Sequence, residues 1–546
     1  MTPPNRVPTR RASGERSPSR SLVEPVASRE DLREFDARLR RLAAFFLVAF
    51  VALGARLYHL QITMGEAYEQ MASRNFVRTV EVPPDRGAIV DARGRTLAEN
   101  RASYDVVASP RVLARHPAAV EELAVLMNLS DAARSRLEAA VSAGGQADHV
   151  VARDVSRDVV AVVEARRQEL PGTYVSVTQR RYYPYDTLAA HLVGYVNEIR
   201  ADEVRDAAED AYRPGDRIGR TGIERAYERV LRGAPGLIRQ VVNVNGDVES
   251  EDVNRALLGD YRVIDSVAGR DVRLTVDVGL QGIIESAMAD AISGAVVVVD
   301  PRDGAVLGTY SKPGFDPNAW SGRLSEHEKR ASDNDPFHPM LDKSVLSYFP
   351  ASTYKIITAI AALEEGIVDP SDEIDCNGHL DYGNRRFHCW NRGGHGHMNL
   401  REALAHSCDV YFYEVALRLG IDTLARYAVE LGLGERPGLA MNGEHAGVVP
   451  TREWHTEHSP GGFQYGFTVN TSVGQGDTRA SPLQMALAYA ALVNGGRVFY
   501  PRVVSAITSA DGDPIFRYPP RLRRTLPFSA DSLSYVVDGL DDVLNQ

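Results

Sequence analysis

A chain of 546 residues is too long for a single domain, and its length predicts three or four structural units. With 44% hydrophobic and 25% charged residues, it can bury a sizeable core. Its formal net charge of −11 argues against a nucleic-acid-binding protein, although the N-terminus is rich in arginine.

The N-terminal segment is predicted to form a tail followed by a membrane anchor. Residues 1–41 begin with a stretch of mostly arginine, serine and proline, which predicts a disordered cytoplasmic tail. The uncharged run Leu42–Ala55 opens a segment, 42–62, that can cross a bilayer as a helix of about 30 Å. Because the basic flank is N-terminal, the rest of the chain is predicted to be exported. A cleaved signal peptide, with small residues at Ala52 and Gly54, is the alternative.

Two domains are predicted beyond the membrane. Residues 63–268 combine short strand signals with solvated helices and carry no obvious chemistry. A new strand-like pattern opens shortly after Gly269, so a second domain is predicted over 269–546. Within it, the runs Ala295–Val299 and Ala305–Tyr310 predict a β-hairpin in a buried sheet.

Lysine is nearly absent from this chain. The 62 basic residues include only Lys312, Lys329, Lys343 and Lys355. Lys355 lies three residues after Ser352 and just before the apolar run Ile356–Leu363, which predicts a buried helix. Arginine keeps its proton in proteins, whereas a buried lysine can lose it and act as a base. A serine on the same side of the first helical turn suits an activated nucleophile, and a solvated lysine there is the alternative.

Two further polar motifs follow along the chain. Ser407 and Asp409 lie on either side of Cys408, between two helical patterns. By themselves they favour a helix cap, since serine and aspartate are common capping residues. Gly474-Gln475-Gly476 comes next, shortly before a helix that is predicted to open at Ser481.

The order of these motifs resembles that of a class B penicillin-binding protein. The motifs are Ser352-x-x-Lys355, Ser407-x-Asp409 and Gly474-Gln475-Gly476. The N-terminal anchor and the segments Arg86-Gly87-x-x-x-Asp91 and Gly222-Ile223-Glu224 are similar to those of the family as well. The resemblance therefore covers nearly everything after residue 40.

Two details resemble the elongation-type subgroup, penicillin-binding protein 2. They are aspartate in place of asparagine at Asp409 and the upstream segment Gly394-His395-Gly396. The resemblance implies an α+β pedestal or dimerisation domain over 63–268. Over 269–546 it implies an α/β transpeptidase domain, with an antiparallel sheet flanked by helices as in serine β-lactamases.

The resemblance also implies a peptidoglycan D,D-transpeptidase that acts during cell-wall elongation. Ser352 would attack the D-Ala–D-Ala carbonyl, Lys355 would activate it, Ser407 would relay protons, and Asp409 would hold Lys355 and contact the substrate. Burial would favour the neutral form of Lys355, whereas an ionised Asp409 would favour the charged form. The backbone N–H of Ser352 would form half of an oxyanion hole.

The same resemblance implies the ligands and the location. Ser352, Asp409 and Gly474-Gln475-Gly476 would contact the stem peptide, and β-lactam antibiotics would acylate Ser352. No cofactor would be needed for catalysis. The partners would be a SEDS-family glycan polymerase, other elongation-complex proteins and the membrane, with no nucleic acid. The protein would span the inner membrane once, with its catalytic domain in the periplasm.

One family motif is missing from this sequence. The family carries a Lys-Thr-Gly or Lys-Ser-Gly motif on a strand beside the site, yet no lysine follows Lys355. The sequence is therefore expected to be truncated before this motif, and the 546-residue chain is expected to be inactive alone. Two milder departures are Ala351 in place of glycine and Asp342-Lys343 in place of an Asn-Arg pair.

All three cysteines lie within 33 residues, at Cys376, Cys389 and Cys408. Histidines concentrate in the same window, namely His388, His395, His397 and His406. Three cysteines and one histidine complete a tetrahedral zinc site, and His395 is favoured because glycines flank it. A Cys376–Cys389 disulfide is the alternative for an exported protein, but it would leave one thiol unpaired. Some elongation-type relatives are similar in carrying metal ligands in this region.

Two other classes of function remain open from the sequence. The chain could be a catalytically silent scaffold that binds wall precursor and a polymerase, which the missing third motif favours and the intact first two motifs oppose. An exported β-lactamase or sensor fits the long domain over 63–268 poorly. Penicillin labelling separates these classes, because only a transpeptidase holds a stable acyl-enzyme.

Overall fold

The computed structural model describes most of the chain with side chains. The described residues are 29–63, 77–144, 148–206, 212–241, 251–322, 324–439, 441 and 443–545. The chain divides into two compact units. The first unit comprises residues 1–80 and 238–263, and the second comprises residues 81–237 and 264–546. The second unit thus includes most of both domains predicted from the sequence.

One N-terminal helix, Arg29–Tyr58, continues as a π-helical turn over His59–Thr63. Its segment Arg41–Tyr58 is long and apolar enough to cross a membrane, in agreement with the predicted anchor. The prediction of disorder up to residue 41 is wrong for residues 29–41, which are helical. The arginines, leucines, glutamates and alanine there have high helix propensity, and the segment contains no proline, so it extends the apolar helix. Residues 1–28 of the predicted tail lie outside the described part.

The remaining helices lie C-terminal to the anchor. They are Pro110–Leu113, Pro117–Leu126, Asp131–Ala143, Arg157–Ala165, Ala190–Val193, Ala201–Asp206, Gly222–Ala226, Glu228–Leu231, Glu251–Leu258, Val278–Ala287, Pro317–Trp320, Glu326–Asp333, Lys355–Glu364, Leu400–Ala405, Asp409–Leu419, Ile421–Glu430, Arg452–His458, Tyr465–Ser472, Pro482–Val493 and Ala530–Asn545, with 3₁₀ turns at Gly259–Arg262 and Ala351–Tyr354.

The strands form one large sheet and several small ones. The large sheet has seven strands, in the order Pro514–Arg517, Val504–Thr508, Asp271–Leu274, Ile89–Val90, Thr96–Ala108 and His149–Ala152, with Thr173–Tyr182 also paired to Thr96–Ala108. A three-stranded sheet has the order Val77–Val82, Gly236–Val241 and Val263–Ile264. The two-stranded sheets pair Gly294–Val299 with Val306–Lys312, Ile374–Cys376 with Gly396–Met398, His379–Tyr382 with Arg385–His388, Arg497–Phe499 with Leu522–Thr525, and Val196–Glu198 with Arg217–Gly219.

The large sheet crosses the domain boundary predicted at residues 268 and 269. Strand Asp271–Leu274 pairs in parallel with Ile89–Val90 and antiparallel with Val504–Thr508. One hydrophobic core follows the sheet and includes Ile89 and Val272, both fully buried. The two predicted domains therefore share a sheet and a core, which local sequence patterns did not indicate.

The predicted hairpin is confirmed. Strand Gly294–Val299 pairs antiparallel with Val306–Lys312, and the helices Val278–Ala287 and Pro482–Val493 pack against these two strands. The strand Gly294–Val299 is only half-buried, whereas the sequence predicted a buried one. A separate core surrounds the helix Lys355–Glu364, whose residues from Lys355 to Ala362 are all buried.

Glu224 holds together segments that are distant in sequence. Its carboxylate accepts hydrogen bonds from Nε of Arg86 (2.7 Å) and Nε of Arg181 (2.7 Å). Glu224 is fully buried, and the side chain of Arg181 is 2% exposed. Burial alone would raise the pKa of Glu224, but Arg181 and Arg86 lower it below its usual value. The family-like segments around Arg86 and Glu224 thus form one buried ion network.

Replacing Glu224 with glutamine should destabilise the second compact unit. The substitution leaves the buried Arg181 without its counter-charge and leaves Arg86 with Glu228 alone, and breaking a buried pair this way typically costs about 3–5 kcal/mol. Urea denaturation at pH 7 measures the loss. Because the pKa of Glu224 is lowered, the carboxylate stabilises the fold above the usual glutamate pKa and loses this effect as the pH falls. The difference in free energy of unfolding between wild type and Glu224→Gln should therefore shrink at acidic pH. Glu138→Gln, which removes an exposed partner of Arg134, should leave the free energy of unfolding nearly unchanged. Equal losses for both variants would contradict the network.

Candidate active site

The helix Lys355–Glu364 starts directly after a 3₁₀ turn that carries Ser352. The turn is Ala351–Tyr354, and Ser352 in it is exposed to solvent. The apolar residues that follow Lys355 are buried, which anchors the turn from behind. The predicted buried helix is confirmed, although it begins at Lys355 and leaves Ser352 in the preceding turn.

Lys355 is buried and its amino group contacts the second motif. Its side chain is 2% exposed, and Nζ donates to the backbone oxygen of Ser407 (2.8 Å) and to Oγ of Ser407 (2.9 Å). It also donates to Oδ1 of Asp409 at 2.6 Å. Three acceptors therefore match the three donors of an ammonium group. The structure brings together Lys355, Ser407 and Asp409.

The segment around Ser407 connects two helices and presents its polar groups to Lys355. The helix Leu400–Ala405 ends just before it, and the helix Asp409–Leu419 begins with Asp409. Ser407 has a φ of 50°, an uncommon left-handed conformation for a residue other than glycine. A strained backbone of this kind persists only where the surrounding contacts hold it, and it is found most often at functional sites.

Trp390 supports the same site, although it belongs to none of the sequence motifs. Its backbone N–H donates to Oδ2 of Asp409 (2.9 Å), and its indole N–H lies 3.1 Å from the backbone oxygens of His406 and Ser407. Trp390 as a whole residue is 65% exposed. The sequence analysis missed Trp390, and its position directly after Cys389 is the one signal that could have identified it.

Gly474 contacts the turn that carries Ser352. The backbone N–H of Ala351 donates to the oxygen of Gly474 (3.0 Å), and a Cβ on Gly474 would lie 2.4 Å from the oxygen of Ala351. Only glycine allows this approach. Ala351 has a φ of 51°, a conformation that suits the glycine typical of the family. Gln475 is exposed, and Gly476 approaches Asn470.

Ser352 has unused hydrogen-bonding groups. Within the described residues, neither its backbone N–H nor its hydroxyl makes a hydrogen bond, and its hydroxyl makes none with Lys355. Its N–H is thus available to a ligand at the positive end of the helix.

A second cluster lies behind Ser407 and Asp409. It comprises Cys376, Cys389, Cys408 and His395, whose ligand atoms all lie within 4.8 Å of one another. The three thiols are free and buried, so the disulfide considered from the sequence is not formed. Nδ1 of His395 lies 3.6 Å from the sulfurs of both Cys376 and Cys389. Hydrogen bonding from Cys408 lowers the pKa of Cys389, which favours its thiolate.

The cluster fits a tetrahedral metal ion in number, type and spacing of ligands. Cysteine sulfurs and one imidazole nitrogen are the set that structural zinc prefers. His395 is held in place by its backbone N–H, which donates to the oxygen of Cys376 (3.0 Å), and by Gly394, where a Cβ would lie 2.2 Å from that oxygen. The other histidines of the same window, His388, His397 and His406, are not members of the cluster.

Comparison with known proteins finds two family models along the chain. Residues 294–546 match the penicillin-binding protein transpeptidase domain, and residues 81–274 match the penicillin-binding protein dimerisation domain. The peptidoglycan D,D-transpeptidase MrdA of Escherichia coli (strain K12) is 33% identical over 486 residues, which are 87% of this chain and 75% of that protein.

Solved structures show the same fold. One of them concerns the structural coordination of polymerization and crosslinking by a peptidoglycan synthase complex. Its matching chain is 31% identical to this one, with a TM-score of 0.68. The match covers 93% of this chain and 85% of that one. The complex of penicillin-binding protein 2 with MreC from Helicobacter pylori matches with a TM-score of 0.70 and 23% identity, over 86% of this chain and 85% of that one.

Gly474→Ala should destabilise the protein more than Gly366→Ala. Both glycines have a left-handed backbone, with φ of 65° and 61°. An alanine at either position should therefore be destabilised by a similar backbone strain of about 1–2 kcal/mol. A Cβ on Gly366 meets nothing within 4 Å, whereas one on Gly474 overlaps the Ala351 backbone. That overlap should add about 1–3 kcal/mol. Thermal unfolding of the two variants gives the difference, and equal melting temperatures would contradict the contact.

Proposed function

The chain belongs to the elongation type of class B penicillin-binding proteins, and on that premise we propose that it cross-links peptidoglycan through an acyl-enzyme on Ser352. The observation that carries this proposal is the buried Lys355, whose amino group contacts both Ser407 and Asp409. This arrangement places a base and a proton relay beside an exposed serine.

The first half-reaction transfers the donor peptide to the enzyme. Oγ of Ser352 attacks the penultimate D-Ala carbonyl, and its proton passes to Lys355. The C–N bond to the terminal D-Ala breaks, and Ser407 relays a proton to the leaving amine. In the second half, an acceptor amine attacks the ester, the Ser352 C–O bond breaks, and Ser352 regains a proton. No net proton is gained or lost over the cycle.

Asp409 and Ser407 position the base for this step. All three donors of a protonated Lys355 are used on Ser407 and Asp409, so the amino group points toward the second motif. Lys355 must be neutral to accept the proton of Ser352. The 2.9 Å contact between Nζ of Lys355 and Oγ of Ser407 then gives a direct path for passing that proton to the leaving group.

The unused N–H of Ser352 supports a role in stabilising the oxyanion. It lies at the start of the turn before the helix Lys355–Glu364, where the helix dipole favours negative charge. We assign substrate contacts to Ser352 and Asp409, and to Gly474-Gln475-Gly476 beside the Ser352 turn. A β-lactam, which presents a strained amide to the same groups, would acylate Ser352.

We place the catalytic part outside the cytoplasmic membrane. The basic N-terminal flank and the apolar segment Arg41–Tyr58 support a single-pass anchor with the tail in the cytoplasm. We take residues 63–268 as the pedestal and 269–546 as the transpeptidase segment, close to the spans that match the two family models. A glycan polymerase of the SEDS family is the proposed partner, since one related structure is that of a peptidoglycan synthase complex.

We further propose that Cys376, Cys389, His395 and Cys408 hold one structural zinc ion. The close approach of three buried thiols and one imidazole supports this assignment. When bound, the ion would supply structural cross-linking alone, because four protein ligands leave no open coordination position. These residues would then position Asp409 in two ways. Asp409 follows Cys408 directly, and it accepts a hydrogen bond from the backbone of Trp390, which follows Cys389.

Ser352→Ala should abolish covalent labelling by a fluorescent penicillin. The experiment uses the full chain, purified in detergent. Thr353→Ala is the matched control, because Thr353 carries a neighbouring hydroxyl, is also exposed, and donates only to the oxygen of Pro350. The control should label as wild type does. Labelling of Ser352→Ala at the wild-type level would rule out Ser352 as the nucleophile.

His395→Ala should lose the zinc ion, whereas His397→Ala should retain it. The two histidines are two residues apart, but only His395 belongs to the cluster, and the side chain of His397 is 75% exposed. Elemental analysis of protein purified without added metal should find about one equivalent in wild type and in His397→Ala. Chelation should lower the melting temperature and the rate of penicillin acylation of wild type. Less than about a tenth of an equivalent in wild type would refute the site.

A further inference from the structure

A polar cavity lies away from the residues assigned to catalysis. Its volume is about 430 Å³, within the usual range of small-molecule sites. Strands Thr96–Ala108, Thr173–Tyr182 and Arg217–Gly219 contribute to its wall, together with Gly322 from the transpeptidase segment. A ligand in it would therefore touch both of the predicted domains.

Arg217 lines this cavity without a partner. Within the described residues, its side chain makes no hydrogen bond and no ion pair, and its Nη1 is buried. A buried polar group without a partner costs about 1–3 kcal/mol, and more when it is charged. A fold does not normally retain such a guanidinium unless something else pairs with it.

Two further arginines face the same cavity. Arg180 contacts the carboxylate of Asp154 at 3.1 Å, and Arg153 is exposed. A Cβ on Gly322 would lie 2.9 Å from Nη2 of Arg180, so the glycine leaves room for that guanidinium.

Positive charge dominates this cavity. Three guanidinium groups oppose two lining carboxylates, those of Asp105 and Glu198, which leaves one positive charge in excess. Asp105 is also engaged elsewhere, because it accepts the backbone N–H of Asp154 at 2.9 Å. Burial and the neighbouring Arg180 and Arg153 lower the pKa of Arg217 despite the two carboxylates. An anion would relieve this repulsion.

We propose that this cavity binds the phosphate or carboxylate group of a small polar ligand, held by Arg217, Arg180 and Arg153. A guanidinium fork matches the geometry of either oxyanion. The cavity is several times larger than one phosphate group, and Thr178 and Gln179 add neutral polar groups to its wall. The ligand therefore carries its oxyanion on a hydroxyl-rich body such as a sugar.

Binding is tested on the full-length protein in detergent, by calorimetry at constant ionic strength. The probes are inorganic phosphate, glucose 6-phosphate, glucuronate and neutral glucose. The proposal predicts saturable binding of glucose 6-phosphate or glucuronate, and no binding of glucose. Tighter binding of the phosphate ester identifies a phosphate ligand, and tighter binding of the acid identifies a carboxylate ligand. No saturable binding of any anion up to about 10 mM would overturn the proposal.

Arg217→Gln should weaken the binding by about tenfold or more, since a hydrogen bond to a charged group is lost. Arg153→Gln is an exposed substitution that should not affect folding, and it should weaken binding in the same direction. Arg115→Gln removes an exposed arginine outside the cavity and should leave the affinity unchanged. Penicillin labelling, which does not involve this cavity, should remain at the wild-type level in all three variants. Equal affinity for wild type and both cavity variants would show that the anion binds elsewhere.

Discussion

The buried amino group of Lys355 is the constraint on which the site depends. An amino group on a side chain that is 2% exposed has lost its water and must find hydrogen-bond partners inside the protein. Ser407 and Asp409 supply three of them, and this requirement fixes where the helix Asp409–Leu419 begins relative to Lys355. The uncommon backbone of Ser407 follows from the same need, because both its carbonyl and its hydroxyl must reach one amino group.

The other parts of the site hold this arrangement from two sides. On one side, Trp390 fixes the second oxygen of Asp409 and connects it to the cluster of Cys376, Cys389, His395 and Cys408. On the other, Gly474 supports the strained turn that presents Ser352. In the proposed reaction the serine stays exposed to substrate while its base stays buried. A metal ion in the cluster would act on this chemistry only by positioning Asp409.

The sequence indicated those features that depend on residues close together in the chain. The apolar run after Lys355 predicted the buried helix, and an odd number of cysteines in one window predicted their assembly around His395. Pairings between distant segments left no local pattern. The parallel pairing of Ile89–Val90 with Asp271–Leu274, and the contact of Arg86 with Glu224 across 138 residues, are examples. Trp390 was missed because its role depends on contacts with Asp409 and Ser407, 19 and 17 residues away in the chain.

The most direct test of this account is the rate at which a fluorescent penicillin acylates Lys355→Arg and Lys355→Ala, compared with wild type. Arginine keeps the positive charge beside Asp409 but does not give up its proton. The arginine variant therefore distinguishes the role of Lys355 as a base from its role as the ion-pair partner of Asp409. Loss of a general base should slow acylation by about 10²–10⁴-fold in both variants. The melting temperature should fall more in the alanine variant, which leaves Asp409 without its cation. Acylation of the folded arginine variant within about tenfold of the wild-type rate would contradict the assignment of Lys355 as the base.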